Sequence, residues 1–125
     1  MKRLMGIILS IVSFLVGDID MLLKVLICIM VTDYITGIWS AIYNNRLSSK
    51  TGFKGILKKM CILSSICLSN LAGTVVGIAE LRTVAISFYI SNEAVSILEN
   101  AAELDVPLPK KLKEMLQQIN DKLVG

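Results

Sequence analysis

The sequence predicts an all-α integral membrane protein: three to four transmembrane helices, four preferred with both termini cytoplasmic, plus a C-terminal amphipathic helix. Three observations predict it. Of 125 residues, 54% are hydrophobic and 18% charged, whereas an ordinary soluble domain carries about 25% charged residues. The apolar residues fall in long runs at 4–16, 21–43, 60–79 and 83–98. Lysine and arginine gather between alternate runs, as cytoplasmic loops require.

The first run, 4–16, follows Lys2 and Arg3. A basic start also suits a signal peptide, but Gly17-Asp18-Ile19-Asp20 offers no small-x-small cleavage pattern and the next run follows at once. The run is short for a span, and its basic end must snorkel to the interface. The second run, 21–43, contains Lys24 and Asp33, and the third, 60–79, is uncharged. Both reach the roughly 20 residues that a spanning helix needs. The fourth, 83–98, carries Asn92 and Glu93.

Charge orders these runs. With four spans and the N-terminus inside, the inner side holds Lys2, Arg3, Arg46, Lys50, Lys54, Lys58, Lys59, Lys110, Lys111, Lys113 and Lys122, while the outer side keeps Lys24 and Arg82, a split of 11 to 2. The split falls to 9 to 4 if the first run does not cross, and to 7 to 6 if the fourth does not. Three spans with the N-terminus outside is therefore the second choice. Gly17 to Asp20 and Glu80 to Arg82 form tight outer turns, which make antiparallel neighbours. The inner segment from Asn44 to Lys59 reads as a loop: Asn44-Asn45 ends a helix, and Ser48-Ser49 with Gly52 and Gly55 is turn chemistry. Arg46, Lys50, Lys54, Lys58 and Lys59 there act as a cytoplasmic stop signal or meet anionic headgroups.

Residues 1–105 thus form a transmembrane bundle and 106–125 a cytoplasmic tail. In the tail, Leu108, Leu112, Met115, Leu116, Ile119 and Leu123 make one apolar helical stripe after Pro107 and Pro109. Lys110, Lys111 and Lys113 lie off the stripe, so the helix can rest on the inner leaflet or pair with a copy of itself.

Within the membrane, Cys61, Ser65, Ser69, Gly73 and Gly77 recur every four residues, and Gly37 with Ala41 repeats the pattern in the second run. Small faces let helices approach closely, either inside one chain or between subunits. Asp33 and Glu93 are expensive at membrane depth and must face the bundle or water. No lysine or arginine is expected at the depth of Asp33, which leaves Thr32, Tyr34 and Thr36 as its donors. Ser91, Asn92 and Ser96 surround Glu93.

Catalysis has no support. Histidine is absent, which removes Ser-His-Asp and Cys-His nucleophiles and His-based zinc sites. Cys28, Cys61 and Cys67 lie in apolar runs and read as packing residues. No metal, cofactor or nucleic-acid partner is expected; the partners are membrane lipid and further copies of the chain.

Several segments together resemble the toxin-secretion and phage-lysis holins. They are Asp33-Tyr34-x-Thr36-Gly37, Ser48-Ser49-Lys50-x-Gly52-x-Lys54-Gly55 with Lys58-Lys59, Phe88-Tyr89-Ile90-x-Asn92-Glu93, Ser96-Ile97-Leu98-Glu99-Asn100-Ala101-Ala102, and Val106-Pro107-x-Pro109 with Lys110-Lys111-Leu112. Asp105 departs from the pattern, where relatives carry glycine. The resemblance implies a multi-pass protein of the bacterial cytoplasmic membrane that oligomerises and opens lesions for an endolysin or toxin, with an antiholin among its candidate partners. An antiholin, a small channel or transporter subunit, and a membrane scaffold are the competing classes; a channel would usually show an internal repeat, and none is visible.

Overall fold

The computed structural model describes residues 1–124; Gly125, the last residue of the expected tail, lies outside them. The described chain is helical: α1 (Lys2–Val16), α2 (Met21–Tyr43), α3 (Ser49–Val76), α4 (Glu80–Glu103) and α5 (Lys110–Val124). Two of these, α2 and α3, are long and apolar enough to cross a membrane. The polar α4 is the hub. It packs against α2, α3 and α5, while α1 packs on α3.

The ends of the three long helices share one device. Each stops at a residue with positive φ: Asn45 (55°), Gly77 (75°) and Asp105 (61°). The amide just after each positive-φ residue then donates back five residues, Arg46 to Ala41 (2.7 Å), Ile78 to Gly73 (2.8 Å) and Val106 to Ala101 (3.1 Å). These bonds satisfy orphan carbonyls in the Schellman manner. Asp105 therefore adopts the left-handed turn that glycine favours, and it accepts a hydrogen bond from the Tyr43 hydroxyl at 2.9 Å.

Two expectations are corrected here. The inner loop is short. Only Asn44 to Ser48 separate α2 from α3, and Ser48 caps α3 by accepting from the Thr51 amide at 3.1 Å. Gly52 and Gly55 are helical, and they serve close approach: a Cβ on Gly55 would lie 3.2 Å from the Tyr34 ring. The Tyr34 hydroxyl donates to the Gly52 carbonyl at 3.2 Å. Helical glycine costs about 1 kcal/mol against alanine, and this packing of α3 on α2 offsets it.

The small-residue row is the second. Successive positions four apart drift 40° around a helix that turns 100° per residue, so the row crosses from one face to another. Cys61 is exposed, Ser65 and Ser69 are half-buried, and Gly73 is buried. Gly77 caps α3 instead of lying on its face. A Cβ on Gly73 would strike the Ile78 carbonyl at 2.5 Å, so Gly73 serves the α3–α4 turn. Gly37 and Ala41 are also used within the chain. Ala41 is buried, and a Cβ on Gly37 would lie 3.6 Å from the Asn100 amide.

The turn between α1 and α2 is clamped by Arg82. Its guanidinium donates to the carbonyls of Val16 (2.6 Å) and Asp18 (2.7 Å) and pairs with Asp20 (2.9 Å). Asn70 donates to the carbonyls of Phe14 and Leu15 at 3.1 and 3.0 Å. A cation at a helix C-terminus neutralises its partial negative charge. Gly17 is required here: at φ 84° its Cβ would sit 2.5 Å from the Arg82 side chain.

The Arg82 guanidinium, then the Leu23 amide, hold the Asp20 carboxyl below the usual aspartate range. A depressed carboxylate stabilises the fold above its unfolded value and loses that contribution as pH falls through the folded value. Thermal melts in detergent should therefore show the clamp intact above about pH 4 and lost on further acidification. Asp20→Asn should flatten that part of the profile. Identical acid limbs for the two proteins would remove Asp20 from the clamp's energetics.

Candidate functional site

Lys59 is the centre of the site. Its ammonium bonds Asp33 and lies 2.6 Å from Glu93 Oε1. Asp33 comes from α2, Lys59 from α3 and Glu93 from α4, so one cation ties three helices. Glu93 is the most enclosed, with 1% of its side chain exposed. Asn100 of α4 completes the cluster. Its amide donates to the Asp33 carboxylate (3.0 Å), the Asp33 carbonyl (3.1 Å) and the Thr36 hydroxyl (3.0 Å). No buried side-chain polar atom among the described residues lacks a partner.

The three charges are level. Each lies ten residues from the same end of its helix: Asp33 from Tyr43, Lys59 from Ser49 and Glu93 from Glu103. That is about 15 Å at 1.5 Å per residue, half of a hydrocarbon core about 30 Å thick. Lys59, expected in the cytoplasmic basic loop, is therefore a half-buried partner level with Asp33, where no cation was expected. The physical reason is that α3 begins eleven residues before the third apolar run. Lys59 shares its face with Ile62, Ile66 and Gly73, all buried, and that spacing was the available signal. Asn100 was also missed; with Glu93 and Ser96 it follows an i, i+3, i+7 pattern.

The remaining expected residues disperse. Asn92 is half-buried and stands outside the cluster. Lys50, Lys54 and Lys58 are exposed, and helical side chains lean towards the N-terminus, so all three lean towards the Ser49 end of α3. Arg46 pairs with Glu103 at 2.6 Å, and Ser40 donates to the same carboxylate. Arg46 thereby ties α2 to α4 at their inner ends. Lys110 and Lys111 are exposed and Lys113 is half-buried. The tail does not stand apart: α5 folds back on α4.

A cleft of 210 Å³ adjoins the cluster. Asp33, Lys59 and Asn100 line one part, and Leu47 of the α2–α3 connection with Thr51 in the first turn of α3 line another. Beyond the cluster, towards the Met21 end of α2, Leu23, Leu26, Met30, Ile62, Ile66 and Ile86 close into an apolar core. The arrangement can hold helices together and hold water beside charge. Among the described residues no group of His, Cys, Asp and Glu could hold a metal.

Such a molecule is a small all-helical protein with two helices long and apolar enough to cross a membrane, its α2, α3 and α4 joined by one cluster of charges. The bacteriophage holin family matches residues 10–121, and the chain belongs to that family. It is 40% identical over 108 residues to an uncharacterised protein of Listeria monocytogenes, covering 86% of this chain and 77% of that one. An uncharacterised 14.9 kDa protein of Clostridium perfringens is 38% identical over 112 residues, with coverages of 88% and 85%. A protein of Bacillus phage phi105 named a probable holin is 29% identical over 108 residues, with coverages of 86% and 79%. No solved structure matches the chain.

Lys59→Met should leave two acids facing each other without their cation. Breaking a buried pair on one side costs about 3–5 kcal/mol. The folded fraction recovered in detergent should drop sharply. Adding Asp33→Asn and Glu93→Gln to Lys59→Met removes the uncompensated charge and should recover much of the loss. Equal folding of the single and triple variants would mean the cluster does not hold the helices.

Proposed function

We propose that the chain is a holin in the strict sense: it accumulates in the bacterial cytoplasmic membrane, oligomerises and opens lesions that release an endolysin or toxin. Family membership across residues 10–121 carries this reading. The physical chemistry supports it. The Lys59 lock keeps α2, α3 and α4 together in lipid, and α1 adds a helix with no buried residue.

Four spans with both termini cytoplasmic fit best. With Lys59 withdrawn to mid-depth, ten lysines and arginines remain on the inner side against Lys24 and Arg82 outside. At 24 residues, α4 is about 36 Å long, enough to cross. Its acids do not forbid this, because Glu93 is neutralised by Lys59 and Glu103 pairs at the inner end. In this topology the Arg82 clamp is external and the 210 Å³ cleft opens inward. Contact between copies runs through the part of the α3 row that stays accessible, Cys61, Ser65 and Ser69.

Expression in a bacterium without any lysin tests the function. Growth should stop abruptly with loss of membrane potential, and a co-expressed cytosolic enzyme lacking an export signal should appear outside the membrane. An antiholin or scaffold would leave the potential intact, and a selective channel would leak ions but no enzyme. Ser65→Leu with Ser69→Leu should reduce crosslinked oligomers while insertion persists. Gly73 is avoided because its replacement disturbs the α3–α4 turn. Unchanged oligomer ladders would discard this face as the contact.

A further inference from the structure

The C-terminal helix lies too deep to be a peripheral tail. The Ser91 hydroxyl of α4 donates a hydrogen bond to Asn120 Oδ1 of α5 at 3.1 Å. Ser91 is twelve residues from the inner end of α4, about 18 Å along the axis. It also lies past Glu93, which is level with the middle of α2. The α4–α5 hairpin therefore carries α5 along α4 to the middle of that helix's length.

Docked in this way, α5 has three sides. Leu116, Asn120 and Leu123 are half-buried on the side towards α4. Leu112, Met115 and Ile119 form an exposed apolar strip. Lys110, Lys111, Glu114, Gln117, Gln118 and Asp121 fill the third side, all exposed. At 100° per residue these six occupy one continuous arc. Lipid does not accept such a face, since ionisable groups at membrane depth turn to water or to partners. The face mixes two lysines, two acids and two amides, which suits water more than a single counter-charge.

We propose that α5 docked on α4 is the wetted wall of the lesion, its polar side facing an aqueous lumen between copies of the chain. The proposal rests on the holin reading and names the surface that reading leaves open. In a subunit surrounded by lipid the same polar side has no water, so α5 leaves α4 for the cytoplasmic surface. Its docking then accompanies assembly.

Two measurements on the full chain test this, with Cys28, Cys61 and Cys67 replaced by alanine. Ser91→Cys with Asn120→Cys should form a disulfide in membranes after lesion onset, read as protected thiols on a gel. Ser91→Cys with Gln118→Cys, on the opposite side of α5, should not. Absence of the first disulfide overturns the docking. Purified protein in planar bilayers gives the second readout. Lys110→Glu with Lys111→Glu should raise the cation-to-anion permeability ratio several-fold at about 10 mM salt, where charges act over about 30 Å. A cationic thiol reagent added to open Gln117→Cys lesions should step the current down. A disulfide that forms with selectivity and current unchanged overturns the wall. Wild-type protein that carries no current overturns the holin reading and the wall with it, and the gel separates that result from failed docking.

Discussion

One half-buried cation shared by two carboxylates sets the terms for the rest of the molecule. An ammonium at the middle of a bilayer is tolerable only with partners in place, and Lys59 has carboxylates from two other helices. Each acid alone would be costly at that depth, about 2.5–3.5 kcal/mol on insertion scales, and so would the lysine. Together they compel α2, α3 and α4 to meet at one level. Dispersion between helices has no such directional demand, because lipid tails are as apolar as leucine. The surplus of carboxylate over ammonium is met by hydrogen bonds: Asn100 donates to Asp33, and both Asp33 oxygens are engaged.

The composition of α4 follows from this constraint. A helix placed between two apolar spans does not need to be apolar on the faces it buries. Glu93 meets Lys59, Asn100 meets Asp33, and Ser91 meets Asn120, each within hydrogen-bonding distance. The helix reads as a weak span in a hydropathy plot because its polar groups are spent on neighbours. The apolar α1 is the opposite case. It has no buried residue, so hydrophobicity suits it to lipid, and its position depends on the Arg82 and Asn70 contacts at its C-terminal end.

The helices, their order and the cost of Asp33 and Glu93 were legible in the sequence because each is a local property. Runs of apolar residues and isolated charges need no knowledge of the fold. The start of α3 was not, because the adjacent pair Lys58-Lys59, with Lys50 and Lys54 before it, reads as the edge of an apolar run and not as the inside of a helix. Gly52 and Gly55 reinforced the error: the same absence of a Cβ that permits a turn also permits close packing on Tyr34. The four-residue row of small side chains was visible, but its use was not. Whether a small residue faces a neighbour in the same chain or another copy depends on where the other helices lie. Gly37, Ala41 and Gly73 were taken by internal contacts.

The two sides of the charge cluster differ, and under the holin function proposed above the difference bears on where a lesion would form. On one side the cleft reaches Asp33 and Lys59 from the α2–α3 connection. On the other, Leu26, Ile66 and Ile86 are fully enclosed and seal the space between α2, α3 and α4. Opening a water path through that packed half would expose apolar surface at about 25 cal/mol per Å² and would separate Lys59 from its acids as well. A path between whole subunits costs neither. It leaves the lock closed and uses surfaces that are already exposed, namely the free part of the α3 row and the polar side of α5. If the chain opens lesions as proposed above, the interaction that joins its three helices directs them to the boundary between subunits.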